Sequence, residues 1–227
     1  FNFGSGKIDR IDTCEDENGV YVKVTDYKTG MKAFDITAFY HGLQIQLPVY
    51  LNAALDVEQK RHKGKEIIPA GIFYYRMQDP IVDKEEDDEV LEGKILKELR
   101  LDGLVNADEI VVEHLQHNLE GTSNYIPVSK TKSGALSKTS KALYPEEFLE
   151  FLDYTKKLEA KLKGKIAAGE VQAEPYEMGG ATGCDYCAYR AICGFDTRIE
   201  GYEYRRLEKY SKEDVLEKIH IAAQEER

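Results

Sequence analysis

The sequence predicts an α/β or α+β fold built on one mixed sheet, and three patterns carry that reading. Two short alternating segments flank a turn near the N-terminus, an amphipathic helical stretch follows them, and a further β-rich segment precedes a run of helices. Lys7-Ile8-Asp9-Arg10-Ile11-Asp12, the turn cluster Glu15-Asp16-Glu17-Asn18-Gly19 and Val20-Tyr21-Val22-Lys23-Val24 form a β-hairpin within the first 30 residues. From about Ala38 to Gln59 the apolar residues Phe39, Leu43, Leu47, Tyr50, Ala54 and Val57 recur at three and four, which predicts one helix with that face on the sheet. Pro48 inside it should bend it or break a hydrogen bond. Ile67-Ile68-Pro69-Ala70-Gly71-Ile72-Phe73-Tyr74-Tyr75, rich in β-branched and aromatic residues, gives a further strand.

After Asp79-Pro80 the acidic run Asp83-Lys84-Glu85-Glu86-Asp87-Asp88-Glu89 reads as a solvated loop or helix start. Short helices follow near Leu91–Leu101 and Ala107–Gln116. Between Gly121 and Pro145, Lys130, Lys132, Lys138 and Lys141 stand among Ser, Thr and Gly without any acid, which predicts a flexible basic loop able to hold nucleic-acid phosphates. Pro145 in a first turn and Gly169 past the end bracket a long amphipathic helix over Pro145–Ala168. A cysteine-bearing segment comes next, and Ser211-Lys212-Glu213-Asp214 opens a last helix in the manner of a capping box with Asp in place of Glu.

With 227 residues, 42% hydrophobic and 32% charged, the chain is long enough for a real core, which excludes a disordered or fibrous protein. No stretch reaches the roughly 20 apolar residues of a membrane helix. Phe1-Asn2-Phe3-Gly4-Ser5-Gly6 lacks the basic-then-apolar pattern of a signal peptide, so the expected location is soluble and cytoplasmic, with no membrane partner. A net charge of −11 argues against an electrostatic coat on nucleic acid but leaves room for an enzyme meeting DNA through a local patch and a metal site. Four cysteines, three of them within Cys184–Cys193, are too clustered for a disulfide framework and suit metal ligands in a reducing compartment.

The chemistry concentrates in the hairpin. Residues two apart on a strand share a face, so the apolar face of Val20, Val22 and Val24 runs directly into Asp26 and Lys28. A carboxylate and an ammonium at the end of a buried face need compensation, which a divalent cation and a substrate phosphate would supply. Asp9 on the neighbouring strand offers a second carboxylate for magnesium or manganese, whereas Asp12 faces the other way and reads as structural. On spacing alone an exposed Asp26–Lys28 salt bridge explains the pair equally well. Gln46 and Tyr50 lie four apart on the apolar helix face, where an amide is unexpected unless it is satisfied by backbone or faces a site. Gly4-Ser5-Gly6-Lys7-Ile8 lacks both the glycine spacing and the hydroxyl of a phosphate-binding loop, so no ATP-hydrolysing element is read here. His114 and His117, beside Glu113, read as surface histidines, and nothing in the sequence ties His41 to the site.

Gly6-Lys7-Ile8-Asp9, followed by Val24-Thr25-Asp26-Tyr27-Lys28-Thr29-Gly30, resembles the PD-(D/E)xK nuclease superfamily. Gly6-Lys7-Ile8-Asp9-Arg10-Ile11-Asp12, the Asp26-Tyr27-Lys28 triplet and the later cysteines together resemble, over essentially the whole chain, the C-terminal nuclease domain of the AddB-type subunit of bacterial ATP-dependent helicase–nuclease complexes. That resemblance implies a restriction-endonuclease-like mixed sheet flanked by helices in a single domain over 1–227, part of a larger subunit. Residues 1–80 would be the catalytic sheet and helix, 81–170 a helical insertion with the basic loop, and 171–227 the cysteine segment and last helix. It implies that Asp9 and Asp26 bind the metal, that Lys28 positions or activates the attacking water, and that Gln46 and Tyr50, matching the Gln-x-x-x-Tyr element of RecB-like nucleases, orient lysine, water or phosphate.

The spacing of Cys184, Cys187 and Cys193 lets three thiolates converge; zinc, an iron–sulfur cluster and inert loop thiols all fit it. The resemblance implies a [4Fe-4S] cluster that staples the C-terminal segment to the domain, with its fourth cysteine and a helix carrying an active-site histidine upstream of Phe1. Cys14 is not expected to join the cluster. The implied function is a metal-dependent exonuclease that cuts single strands leaving an AddA-type helicase subunit during double-strand-break processing. A largely non-catalytic DNA-end clamp and subunit-docking module is the competing expectation.

Overall fold

The computed structural model describes residues 6–30, 32–84 and 87–224. The N-terminal stretch read above for signal and phosphate-loop patterns therefore lies, up to Ser5, outside the described residues, as do Glu85 and Glu86 of the acidic run.

Strands β1 (Arg10–Glu15) and β2 (Val20–Lys28) form the expected antiparallel hairpin, with Arg10 opposite Thr25 and Glu15 opposite Val20. The chain then crosses over through helices to β3 (Ile67–Arg76), which pairs parallel with β2, because parallel neighbours need a crossover connection. The crossover holds two helices, α1 (Ile36–Tyr40) and α2 (Gln46–Arg61), in place of the single helix predicted over 38–59. Gly42, at φ +81°, is the reason: its N–H bonds to the Phe39 carbonyl and the Leu43 N–H to the Ala38 carbonyl, closing α1 with a left-handed cap. Apolar spacing continues across the break, so periodicity alone reads straight through it. Pro48 neither bends nor breaks α2, because it is the third residue of the helix, where its missing N–H would have no intrahelical acceptor.

Helix α3 (Asp88–Glu98), capped by Asp87, leads to β4 (Asp102–Asn106), a strand the sequence reading did not identify. It pairs antiparallel with β3, and after α4 (Glu109–Leu115) and a long loop, β5 (Ala142–Leu143) closes a five-stranded sheet in chain order. The mixed α/β architecture agrees with the fold class expected. On one face Val20, Val22, Val24, Ile72 and Leu104 meet Phe39, Leu47 and Leu51 of the crossover and Phe148, Phe151, Val215 and Ile219 of the C-terminal helices α5 (Pro145–Ala167) and α7 (Lys212–Gln224). Each such fully buried large side chain contributes about 1.5–3 kcal/mol. Ser211 and Asp214 cap α7 reciprocally, Asp214 N–H to Ser211 Oγ at 3.1 Å and Ser211 N–H to Asp214 Oδ2 at 3.2 Å, as their spacing predicted.

The segment predicted as a flexible basic loop is a packed, hydrogen-bonded one. Antiparallel bridges Thr122–Ser129 and Lys130–Leu136 fold it on itself, Ile126 and Val128 are buried under the second face of the sheet, and Ser123 Oγ accepts the N–H groups of Tyr125 and Ile126. Its Ser and Thr residues satisfy the backbone locally, which composition had presented as freedom. Between α5 and α7 lies a second, three-stranded sheet of β6 (Tyr176–Met178), β7 (Ala181–Thr182) and β8 (Arg205–Arg206), with the single-turn helix α6 (Arg190–Cys193). No residue from 168 to 210 is buried.

Gly103 of β4 pairs with Phe73 of β3, and a Cβ there would stand 1.9 Å from the Ile72 carbonyl oxygen. Gly103→Ala should therefore push β4 off β3 and cost more than about 2 kcal/mol in urea denaturation.

Candidate active site

The site grows from the end of β2. Alternation carries the buried face of Val20, Val22 and Val24 to Asp26, which is 4% exposed. An unpaired carboxylate there would cost several kcal/mol in lost hydration. Two side chains offset it. The Lys28 ammonium forms an ion pair with Asp26 Oδ2, and Gln46 Nε2 donates to Asp26 Oδ1 at 3.2 Å. Gln46 works from both ends: its Oε1 accepts from Lys28 Nζ at 3.2 Å, and its Nε2 also lies 3.2 Å from the Tyr50 hydroxyl. Because α2 begins at Gln46, this amide stands at the helix entry, with Tyr50 one turn on. Asp26, Lys28, Gln46 and Tyr50 thus form one connected group, and the exposed salt bridge weighed for Asp26 and Lys28 is not what the fold builds.

Asp9 lies one residue ahead of β1. Extending the β1–β2 register by one position sets it opposite Asp26, and its Oδ2 accepts the Tyr27 N–H at 3.0 Å, leaving Oδ1 outside that bond. Asp12 is engaged elsewhere, with Arg10 Nε at 2.9 Å and Lys23 at 3.8 Å. His41 turns away, its Nε2 2.8 Å from the Glu208 carbonyl oxygen. His117 pairs with Glu113 at 2.6 Å, and His114 bridges Cys14 Sγ (3.6 Å) and Asp16 Oδ2 (2.9 Å).

Sequence reasoning missed Tyr74, Asp102 and Lys32. Tyr74 pairs with Asp26 on one side and with Asp102 on the other, so the three share a face across the sheet. Asp102 is taken up by the Lys141 ammonium and by the Phe34 N–H at 2.6 Å. Lys28 and Lys32 both stand over the Tyr74 ring, 5.4 and 5.2 Å from its centroid. Burial, then Asp26 and Asp102, push the Tyr74 hydroxyl up to about 12, while burial and the neighbouring Lys28 hold the Lys32 ammonium below its ordinary range. The only signal for Tyr74 was its place in a strand; its partners depend on register. Lys32 follows a turn, where alternation no longer predicts direction.

Of the predicted basic residues, Lys132 and Lys138 are exposed and Lys130 half-buried, while Lys141 is held by Asp102. Cys184, Cys187 and Cys193 line one cavity of about 450 Å³ with Arg190, Arg198 and Tyr204. Cys14, beside His114, does not reach it. Among the described residues no three His, Cys, Asp or Glu side chains are drawn together as a metal-holding group.

A mixed sheet that ends a buried strand in a carboxylate and, two residues on, a lysine, with a second carboxylate opposite and a helical glutamine joining the pair, has the form of a nuclease core. The chain belongs to the PD-(D/E)XK nuclease superfamily, whose family model matches residues 1–194. It is 39% identical over 219 residues to a subunit of the ATP-dependent helicase/deoxyribonuclease of Lachnoclostridium phytofermentans, covering 92% of this chain and 19% of that protein. Similar relatives of the same description occur in Alkaliphilus oremlandii (40% over 215 residues, 94% and 19%) and Caldanaerobacter subterraneus subsp. tengcongensis (41% over 214 residues, 93% and 18%). The chain spans about a fifth of the length of these relatives.

A hydroxyl whose folded pKa lies above its unfolded value of roughly 10 stabilises the fold below pH 10 and loses that contribution as pH rises through the folded value, about 12 for Tyr74. Tyr74→Phe should accordingly lose less stability than the parent between pH 9 and 11.5, read as denaturant midpoints at each pH.

Proposed function

We propose that this chain is a nuclease domain within a larger helicase–nuclease subunit, hydrolysing phosphodiester bonds of DNA strands unwound by an AddA-type helicase partner during double-strand-break processing. The observation that carries the reading is the buried Asp26 carboxylate, joined to Lys28 and Gln46 and faced by Asp9. In this reading residues 1–227 act as one domain. The names of the relatives support the helicase partner and the DNA substrate.

The donor set suits a magnesium or manganese ion. Asp26 Oδ2 is buried and, among the described residues, accepts no directed hydrogen bond, meeting only the Lys28 ammonium; Asp9 keeps an oxygen outside its bond to Tyr27. Asp9 and Asp26 would hold the ion, which when bound supplies Lewis-acid stabilisation of the phosphate. The protein's own side chains do the rest. Lys28, aimed by Gln46, holds the attacking water by hydrogen bonding and steadies the charge that develops on the phosphate oxygens. Gln46 fixes the Asp26 carboxylate and the Lys28 ammonium in mutual orientation, and Tyr50 keeps the amide from rotating. Lys130, Lys132 and Lys138 would add sequence-independent contacts to phosphates.

Asp26→Asn should lower magnesium-dependent degradation of single-stranded DNA by more than about 100-fold while leaving the circular dichroism spectrum unchanged. Cleavage retained in this variant would remove the nuclease reading.

The spacing of Cys184, Cys187 and Cys193 along one cavity supports an iron–sulfur cluster with a fourth ligand from elsewhere in the larger subunit, although the three thiols are not drawn together as a metal-holding group in this structure. An open cluster loses iron, so this chain purified without oxygen should hold clearly less than one cluster per molecule by iron and sulfide assay. A full complement would place the fourth ligand within these 227 residues.

A further inference from the structure

We infer that Lys32 and Tyr74 form a second phosphate-binding arm of the Asp26 site, receiving a phosphodiester of single-stranded nucleic acid beside the one that Lys28 serves. The inference rests on the reading of that site as a nuclease centre. Two ammonium groups share the ring of one buried tyrosine, and Lys28 is already paired with the Asp26 carboxylate. The other carboxylate in the row, Asp102, is taken by Lys141 and the Phe34 N–H. Lys32 has no carboxylate partner among the described residues, so its ammonium is left open to an incoming anion. Like charges so close repel, and a fold holds them together at a cost that an anion between them would relieve.

Tyr74 supplies the second observation. Its side chain is 2% exposed, yet its hydroxyl has no hydrogen-bond partner among the described residues. A buried donor without an acceptor is unusual and calls for a missing one. With Asp26 and Asp102 on either side, the hydroxyl sits in a row of charged groups, where a phenolic O–H can donate to an anion. An ammonium and a phenolic O–H are the donors that phosphate oxygens take, and neither reads a base, so the arm is blind to sequence.

The test measures binding and cleavage in this chain separately. Affinity for a short fluorescent single-stranded oligonucleotide is read by anisotropy in EDTA over a range of salt, and steady-state cleavage is read with magnesium, for the parent, Lys32→Ala, Lys32→Arg, Tyr74→Phe and the control Lys63→Ala. Lys63 follows α2 at its far end, roughly 24 Å from Gln46. Lys32→Ala should weaken binding about tenfold and flatten the log–log salt slope by about 0.7, and Lys32→Arg should restore most of both. In cleavage, Lys32→Ala should raise KM while kcat changes less than about twofold. Tyr74→Phe should weaken binding about threefold without lowering the melting temperature, because the lost hydroxyl had no partner to lose. Unchanged affinity and slope in Lys32→Ala, or an equal loss in Lys63→Ala, overturns the role of Lys32; unchanged affinity in Tyr74→Phe overturns that of Tyr74. A parent that binds but does not cut, or an active Asp26→Asn, would instead count against the nuclease reading.

Discussion

The burial of one carboxylate organises this protein. Asp26 is carried into the interior by the same alternation that buries Val20, Val22 and Val24, and Lys28 and Gln46 come to it there, replacing the water its carboxylate gives up. Each compensating group imposes a condition on the backbone. Lys28 must lie two residues further along an extended strand, so β2 runs to its end without a turn. Gln46 must stand at a helix entry over that strand end, so the crossover has to stop at Gly42 and start again. The break between α1 and α2 is therefore part of the site's construction as well as a detail of the fold.

The same strand end collects polar and charged groups from all five strands of the main sheet. Asp9 comes from the residue ahead of β1, Asp26 and Lys28 from β2, Tyr74 from β3, Asp102 from β4, and Lys141 from the residue ahead of β5. Parallel and antiparallel pairing alternate across the sheet, yet the register brings these residues to one edge. Among the charged members of this group Asp26 alone is deeply buried. Removing Lys28 or Gln46 would leave that charge uncompensated, which is why the polar group is coupled to stability as well as to chemistry.

What could be read from the sequence follows from the range of each interaction. Asp26 and Lys28 were legible because a strand's period of two is local and strict, and Asp9 because a hairpin keeps its partners close. Gln46 was visible as an amide on an apolar face, but its partners, 18 and 20 residues away, came only with the fold. Tyr74 and Asp102 depend on the pairing of β3 with both its neighbours, which no single segment announces. Strand β4 opens with Asp-Gly, the composition of a turn, and is a strand because β3 and β5 pair with it on either side. The loop before α5 was misread because Ser, Thr and Gly describe polarity, whereas its order comes from side chains bonding to nearby backbone. Lys32 was missed for the plainest reason: past Gly30 there is no period left to extrapolate.

The exposed excursion between α5 and α7 has a consequence of its own. Its two ends are pinned, since both helices contribute to the main core and Thr37 bonds to the Tyr210 carbonyl just before α7. Within 168–210 only Tyr210, at the very end, packs against that core. A crosslink among Cys184, Cys187 and Cys193 would close only short loops inside a segment whose span is already fixed, so the chain entropy it removes is local. The excursion therefore rests mainly on its own contacts, those of its three-stranded sheet, and its opening would leave the main core folded. Were the proposed cluster formed and then lost, that surface would be reshaped while the sheet and its carboxylate remained folded, separating the lifetime of this module from that of the main core.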